Sequence, residues 1–250
     1  MKSKGNISGA VFFLICTLAA LSVFADPFKV GERLEYRLSW GGIPAGRSVL
    51  EVVDMVDVKG ARAYHLLSRV SSNDAIATFY SLNDRIDTYV ATDDLRTLKY
   101  VALTKENSRV RDEIAFFDYK KGEIKYKKRG KEKIISIPPD LYDSISSFYY
   151  LRRLPLKAGE KVFINTFSGG RIYENTIQVM GREKVSVRWG TFETLKVFIR
   201  AVERGKGKKK GESYLWLTDD ERKLPVKIKT KSNFGYIVSE LERAVTSREK

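Results

Sequence analysis

Asp140-Leu-Tyr-Asp-Ser-Ile-Ser-Ser-Phe-Tyr-Tyr-Leu-Arg-Arg-Leu154 is the one stretch beyond the N-terminal leader that reads as a helix. Pro138 and Pro139 stop whatever precedes it, because neither can donate to a ladder or to a helix interior. Asp140 or Asp143 suits its N-terminus, and Arg152 and Arg153 suit a last turn where cations face the negative end of the dipole. Leu141, Ile145 and Phe148 recur at i, i+4 and i+7, while Tyr142, Tyr149, Tyr150, Leu151 and Leu154 spread apolar surface around the rest of the wheel. A helix apolar nearly all round is a buried one, so 140–154 is expected to be a plug held inside a sheet.

On either side the grammar is that of strands. Leu34, Tyr36, Leu38 and Trp40 alternate with Glu35, Arg37 and Ser39. Gly41 to Gly46 reads as a turn into a second strand over 47–56. Strands follow at 61–71, 85–90, 98–104, 110–118 and 123–128, and beyond the helix at 161–167, 171–180, 185–188, 194–202, 214–218, 226–230 and 236–243. Roughly ten to thirteen short strands at this spacing predict an antiparallel meander without crossover units. A sheet that large curls or splits, and its middle must be filled. The expected fold is therefore mainly β, a single curved antiparallel sheet, an open barrel or β-spiral, wrapped around one central helix. It would occupy residues 26–245 as one domain, with a tail at 246–250.

Asp143-Ser-Ile-Ser-Ser-Phe-Tyr-Tyr-Leu-Arg152, followed by Pro155-Leu156 and Gly159, resembles the central motif of domain of unknown function 3108, a family of exported bacterial proteins. Trp216-Leu-Thr-Asp-Asp-Glu-Arg-Lys-Leu-Pro-Val226, Gly190-Thr-Phe-Glu-Thr-Leu195 and Ile43-Pro-Ala-Gly46 fit the same pattern, and the likeness runs over about 28–243. The resemblance implies a periplasmic protein with a curved sheet like that of periplasmic lipoprotein carriers. It brings no catalytic residues with it.

Residues 1–25 carry Lys2 and Lys4, an apolar core from Ala10 to Leu21, and Val23 and Ala25 before Asp26, the parts of a secretory signal peptide. Cleavage after Ala25 turns 46 basic residues into 44 against 31 acidic ones, a net charge of +13, and removes Cys16, the sole cysteine. Thiol and disulfide chemistry then drop out, although the compartment is oxidising. No later segment is apolar enough for a membrane-spanning helix.

The chemistry-bearing residues are few. His65 has no second histidine or cysteine to complete a zinc site, and Ser144 and Ser147 would depend on that one imidazole as their base. Asp219-Asp220-Glu221 lacks the glycine and ligand spacing of a calcium loop and reads as a hairpin turn closed by Pro225. No cofactor motif is present. Asp143, Ser144, Tyr149 and Arg152 admit two readings: a capping and ion-pairing role, or a cavity in which Arg152 and tyrosine hydroxyls bind an anionic or amphipathic headgroup.

Two basic runs remain. One is Lys120 to Lys133, with Lys127, Lys128 and Arg129 at its centre; the other is Arg204 to Lys210, with Lys208, Lys209 and Lys210. Both are expected at hairpins. An exported chain does not meet nucleic acid, so lipid, lipopolysaccharide or another anionic envelope component is the partner such runs suggest. The expected function is that of a non-enzymatic envelope protein that binds an amphipathic or anionic component; the alternative is a hydrolase of envelope polymers working through acidic residues.

Overall fold

The computed structural model describes residues 26–232 and 235–246, the side chain of Lys210 excepted. The leader at 1–25 and the last four residues of the tail lie outside the described residues. Eight strands come first: β1 Arg33–Trp40, β2 Ile43–Val58, β3 Ala61–Ser72, β4 Leu82–Ala91, β5 Thr97–Glu106, β6 Arg109–Asp118, β7 Glu123–Lys128 and β8 Lys131–Ser136, with a single helical turn, α1 Asp74–Ala77, between β3 and β4. Then come β9 Leu141–Asp143, α2 Ser146–Arg153, β10 Lys161–Ser168, β11 Arg171–Val187, β12 Gly190–Glu203, β13 Lys209–Thr218, β14 Pro225–Ser232 and β15 Gly235–Val245.

All fifteen strands form one sheet in the order β8-β7-β6-β5-β4-β3-β2-β1-β15-β14-β13-β12-β11-β10-β9. The chain walks outward from β1 to β8, restarts at the opposite edge with β9, and walks back until β15 pairs with β1. Every neighbouring pair is antiparallel except β9 with β10. That exception corrects the pure meander, since β9, α2 and β10 make one crossover unit.

It also corrects the helix. Leu141 to Asp143 are a strand, paired in parallel with Asn165 to Phe167, and α2 spans only eight residues. Leu141, Tyr142 and Asp143 are all buried, and a strand covered on both faces carries a continuous apolar run that periodicity cannot tell from a buried helix. The helix ends at Leu154, whose extended backbone (ψ 144°) is what a residue before Pro155 must adopt. Smaller differences have similar causes. Segments 171–180 and 185–188 are one strand with a bulge between Val179 and Gly181, and β8, mostly exposed, escaped the reading because it lacks alternation. Only Gly41 and Gly42 turn between β1 and β2; both take positive φ, and Ile43 to Gly46 already belong to β2.

Gly46 shows why that strand needs a glycine. A Cβ there would lie 2.1 Å from the Ser71 carbonyl oxygen on β3. Gly46→Ala should therefore push β2 from β3 and cost about 1–3 kcal/mol of overpacking. A urea midpoint equal to that of the unaltered protein would show that the strands accommodate the methyl group.

The core falls into two clusters. The larger joins Leu34, Tyr36, Leu66, Val197, Leu215 and Leu241 of the sheet to Tyr149 and Leu151 of α2. The smaller joins Tyr100, Ala115 and Tyr126 of β5, β6 and β7 to Leu141, Phe167 and Ile172 of β9, β10 and β11. Strands from opposite ends of the sheet order thus share one apolar cluster.

Candidate functional site

The site grows from Asp143. Its Oδ1 accepts from the backbone N–H groups of Ile145 (2.7 Å) and Ser146 (3.1 Å), and Oδ2 accepts from the hydroxyls of Thr88 (2.5 Å) and Thr97 (2.8 Å). A fully buried carboxylate is tolerable here because four donors replace its water. Two of those donors are N–H groups that the first turn of α2 leaves unmade, so Asp143 both ends β9 and sets the helix direction. The Tyr119 hydroxyl adds a tie from β6–β7 by reaching the carbonyls of Thr97 (3.0 Å) and Leu141 (2.8 Å).

At the other end of α2, Arg152 is 2 % exposed and fully engaged. Nη1 and Nη2 donate to the Glu32 carboxylate at 2.7 and 2.9 Å, Nη2 also reaches the Pro27 carbonyl (2.8 Å), and Nε donates to the Arg222 carbonyl (3.0 Å). Burial works against its charge, but the hydrogen bonds and charge of Glu32 outweigh it and hold the guanidinium above its ordinary pKa. Tyr149 packs edge-on to Phe28 beside this pair, and burial first, then the Glu32 charge, push its hydroxyl well up. Arg153 ties Asp26 (2.5 Å) and the carbonyls of Thr92 and Asp93, and burial with an Asp26 hydrogen bond raises Tyr64 to about 12.

The opposite flank of α2 is open. Ser144, Ser147, Phe148 and Leu151 face Ile164, Asn175, Ile199 and Gly211 across a partly open cavity of about 210 Å³. None of its lining residues is ionisable, and its polar atoms are hydroxyls and one amide, that of Asn175, which already donates to Thr166 at 2.8 Å. Room exists because the sheet is small-residued there: Ala201 and Gly211 pair on β12 and β13, and a Cβ added to Gly211 would meet nothing within 4 Å.

The family model of DUF3108, a protein of unknown function, matches residues 35–242. The chain belongs to the DUF3108 family. Its segments of family resemblance meet in space: Arg152 donates to Arg222 within the 216–226 segment, where Pro225 accepts from Tyr36. Among solved structures, this DUF3108 chain is similar to a β-barrel-like protein of DUF1849 from Brucella abortus, with TM-score 0.59, 12 % identity, and 88 % of this chain and 98 % of that one covered. It is also matched by a protein with a YmcC-like fold from Bacteroides fragilis, with TM-score 0.35, 14 % identity and coverage of 89 % and 99 %. The first likeness shows a shared fold. A search of curated proteins returns no match.

The four helix residues singled out in sequence are divided by the DUF3108 fold. Ser144 lines the cavity, whereas Asp143, Tyr149 and Arg152 belong to the packed interior and do not line it. Of the two readings of Arg152, its contacts are those of ion pairing and not of a headgroup seat, because Glu32 and two carbonyls occupy the guanidinium. Phe148, one of the apolar positions of the expected helix, is half-buried and forms part of the cavity wall. Glu32 as the partner and Gly211 as the gap are not legible in sequence, since each is defined by its position against α2, far away in the chain.

The remaining candidates fall on the surface. His65 Nε2 is hydrogen-bonded to the Asp87 carboxylate, which accepts (2.8 Å), and the imidazole stacks on Tyr89. Asp220 closes the β13–β14 turn by accepting from Thr218 and from the Arg222 and Lys223 amides. Among the described residues no cluster of three or more His, Cys, Asp or Glu could hold a metal, and no helix is long and apolar enough to cross a membrane. Lys127 and Lys128 end β7 beside its short turn into β8, and Lys120 and Lys121 lie in the β6–β7 hairpin; Lys127 pairs with Glu132 (3.3 Å) and Lys128 with Glu113 (2.5 Å), while Arg129 turns toward β8 at φ 47°. Lys208 ends the β12–β13 connection and Lys209 opens β13, both exposed; the side chain of Lys210 lies outside the description.

Proposed function

We propose that this DUF3108 protein is an exported, periplasmic, non-enzymatic component of the cell envelope whose sheet curls around α2 and holds the apolar arm of an amphipathic molecule beside it. The leader at 1–25 supports export. The cluster that joins β5–β7 to β9–β11 supports the curl. The observation that carries the ligand is the lining of the cavity: isoleucine, leucine and phenylalanine with a few hydroxyls and no charge. Such a surface favours hydrocarbon and leaves a charged headgroup at the mouth. At about 210 Å³ the cavity is smaller than the roughly 300–1,000 Å³ of a whole small-molecule site, so it suits one acyl-like arm. A hydrolase working through acids gains no support there, because no carboxylate reaches the lining.

Gly211 provides the test. Its φ lies outside the left-handed range and its missing side chain points into open space, so Gly211→Leu should fill the cavity without strain. Removing a strand glycine should leave stability equal or raise it by about 0.5–1 kcal/mol. A fluorescent long-chain fatty acid should bind the unaltered protein saturably and the Gly211→Leu protein at least tenfold more weakly. Equal binding by both, or none by the unaltered protein, sinks the reading.

A further inference from the structure

In an up-and-down sheet alternate connections lie at one end, and β1 pairing antiparallel with β15 brings the two halves into phase. The β3–β4 and β1–β2 connections, the paired ends of β14 and β15 at Ser232 and Gly235, and the β12–β13 connection are therefore four successive neighbours at the same end. Of the twelve exposed large hydrophobic residues among those described, six flank the first three: Trp40, Ile43, Phe79, Tyr80, Tyr236 and Ile237. Phe79 is 85 % exposed and Ile43 62 %. Trp40 pairs across strands with both Ile43 and Ile237, so part of this set is one continuous patch. Scattered exposed apolar residues need no explanation, but a patch gathered at one end does.

The charge beside the patch is positive. The next connection carries Arg204, Lys206 and Lys208, with Lys209 just inside β13; Arg204 pairs with Glu174 (3.6 Å) and Lys206 with Glu203 (3.0 Å), while Lys208 and Lys209 are exposed. Between Ile43 and the Phe79 loop, Arg37 and Arg47 stand opposite each other on β1 and β2 and border a polar recess of about 370 Å³; Arg37 also pairs with Glu242 (3.0 Å), and Asp74 is the one acid on the rim. Connections at the far end hold ion pairs too, Asp94 with Arg96 and Asp220 with Arg222.

We propose that this end docks on an anionic lipid surface, with Phe79, Ile43 and Trp40 entering the interface and Lys206, Lys208 and Lys209 facing the headgroups. Aromatic side chains with a polar tip favour the depth of the headgroups, and cations beside them add attraction that reaches about one Debye length. A protein partner of neutral chemistry would not require the lysines. The inference does not rest on the cavity being filled, although Ala201 and Gly211 place the cavity close to the β12–β13 connection.

Cosedimentation with phosphatidylcholine vesicles, with and without phosphatidylglycerol, tests it. The purified protein should bind vesicles containing phosphatidylglycerol and ignore pure phosphatidylcholine. Substituting Lys206, Lys208 and Lys209 with glutamine should weaken binding at low salt by about fivefold per lysine, with the difference vanishing at high salt. Phe79→Ser with Ile43→Ser should weaken binding at least tenfold, whereas Phe163→Ser, an exposed β10 residue away from this end, should not. The Gly211→Leu protein should bind vesicles as well as the unaltered one, which separates this result from the cavity reading. Absence of binding to anionic vesicles, or binding indifferent to Phe79 and Ile43, overturns the proposal.

Discussion

Arg152→Ala is expected to destabilise the protein by about 3–5 kcal/mol, because it strands the buried carboxylate of Glu32 without its partner. The size follows from burial. Both side chains are 2 % exposed, so no water can take the place of the guanidinium. Arg152 also holds the carbonyls of Pro27 and Arg222, which means the truncation releases the N-terminal segment, the end of α2 and the β13–β14 turn together. Its guanidinium lies over the Phe28 and Tyr149 rings at 5.6 and 5.5 Å, so apolar packing is lost as well. Urea unfolding gives the measurement. A second variant isolates the charge: Arg152→Met combined with Glu32→Leu removes both ions and should recover much of the loss. If Arg152→Ala shifts stability by less than about 1 kcal/mol, a value typical of exposed pairs, the staple is not buried in solution.

The parts legible in sequence are those that depend on period and local chemistry. Leu34, Tyr36 and Leu38 announce an inward face by spacing alone, and the structure buries all three. Gly169 and Gly170 mark their turn by sequence, and both adopt positive φ. Most strands therefore stand near their expected places. What a one-dimensional pattern cannot carry is pairing at a distance. Leu141 to Asp143 join β10 through a parallel ladder, so their apolar run has the composition of a helix and the partners of a strand. Arg152 invites an anionic partner, yet nothing local picks Glu32, 120 positions away, over a ligand. The cavity is a difference between two surfaces. It exists because Ala201 and Gly211 are small where α2 passes, and neither glycine nor alanine in a strand declares what faces it.

Phe167→Ala should cost about 3–5 kcal/mol, the loss typical of emptying a phenylalanine site in a packed core. Phe167 lies on β10, and its ring meets Tyr100 of β5, Phe117 of β6 and Tyr126 of β7 edge-on, with centroids 5.8, 5.4 and 5.6 Å away. Those strands belong to the opposite half of the sheet order, and no ladder joins β8 to β9. The two halves are held there by side chains instead of backbone hydrogen bonds. Each edge-to-face pair adds about 0.5–1.5 kcal/mol to the area term, so one ring concentrates much of the contact. Phe163, on the same strand but 73 % exposed, is the matched control and should change stability by less than about 0.5 kcal/mol when truncated. Hydrogen exchange adds a local reading: the β9 and β10 amides should lose protection in Phe167→Ala before those of β1 and β2, which sit mid-sheet. Uniform loss across all strands would instead mean that the two halves unfold as one unit, with no separable seam at Phe167.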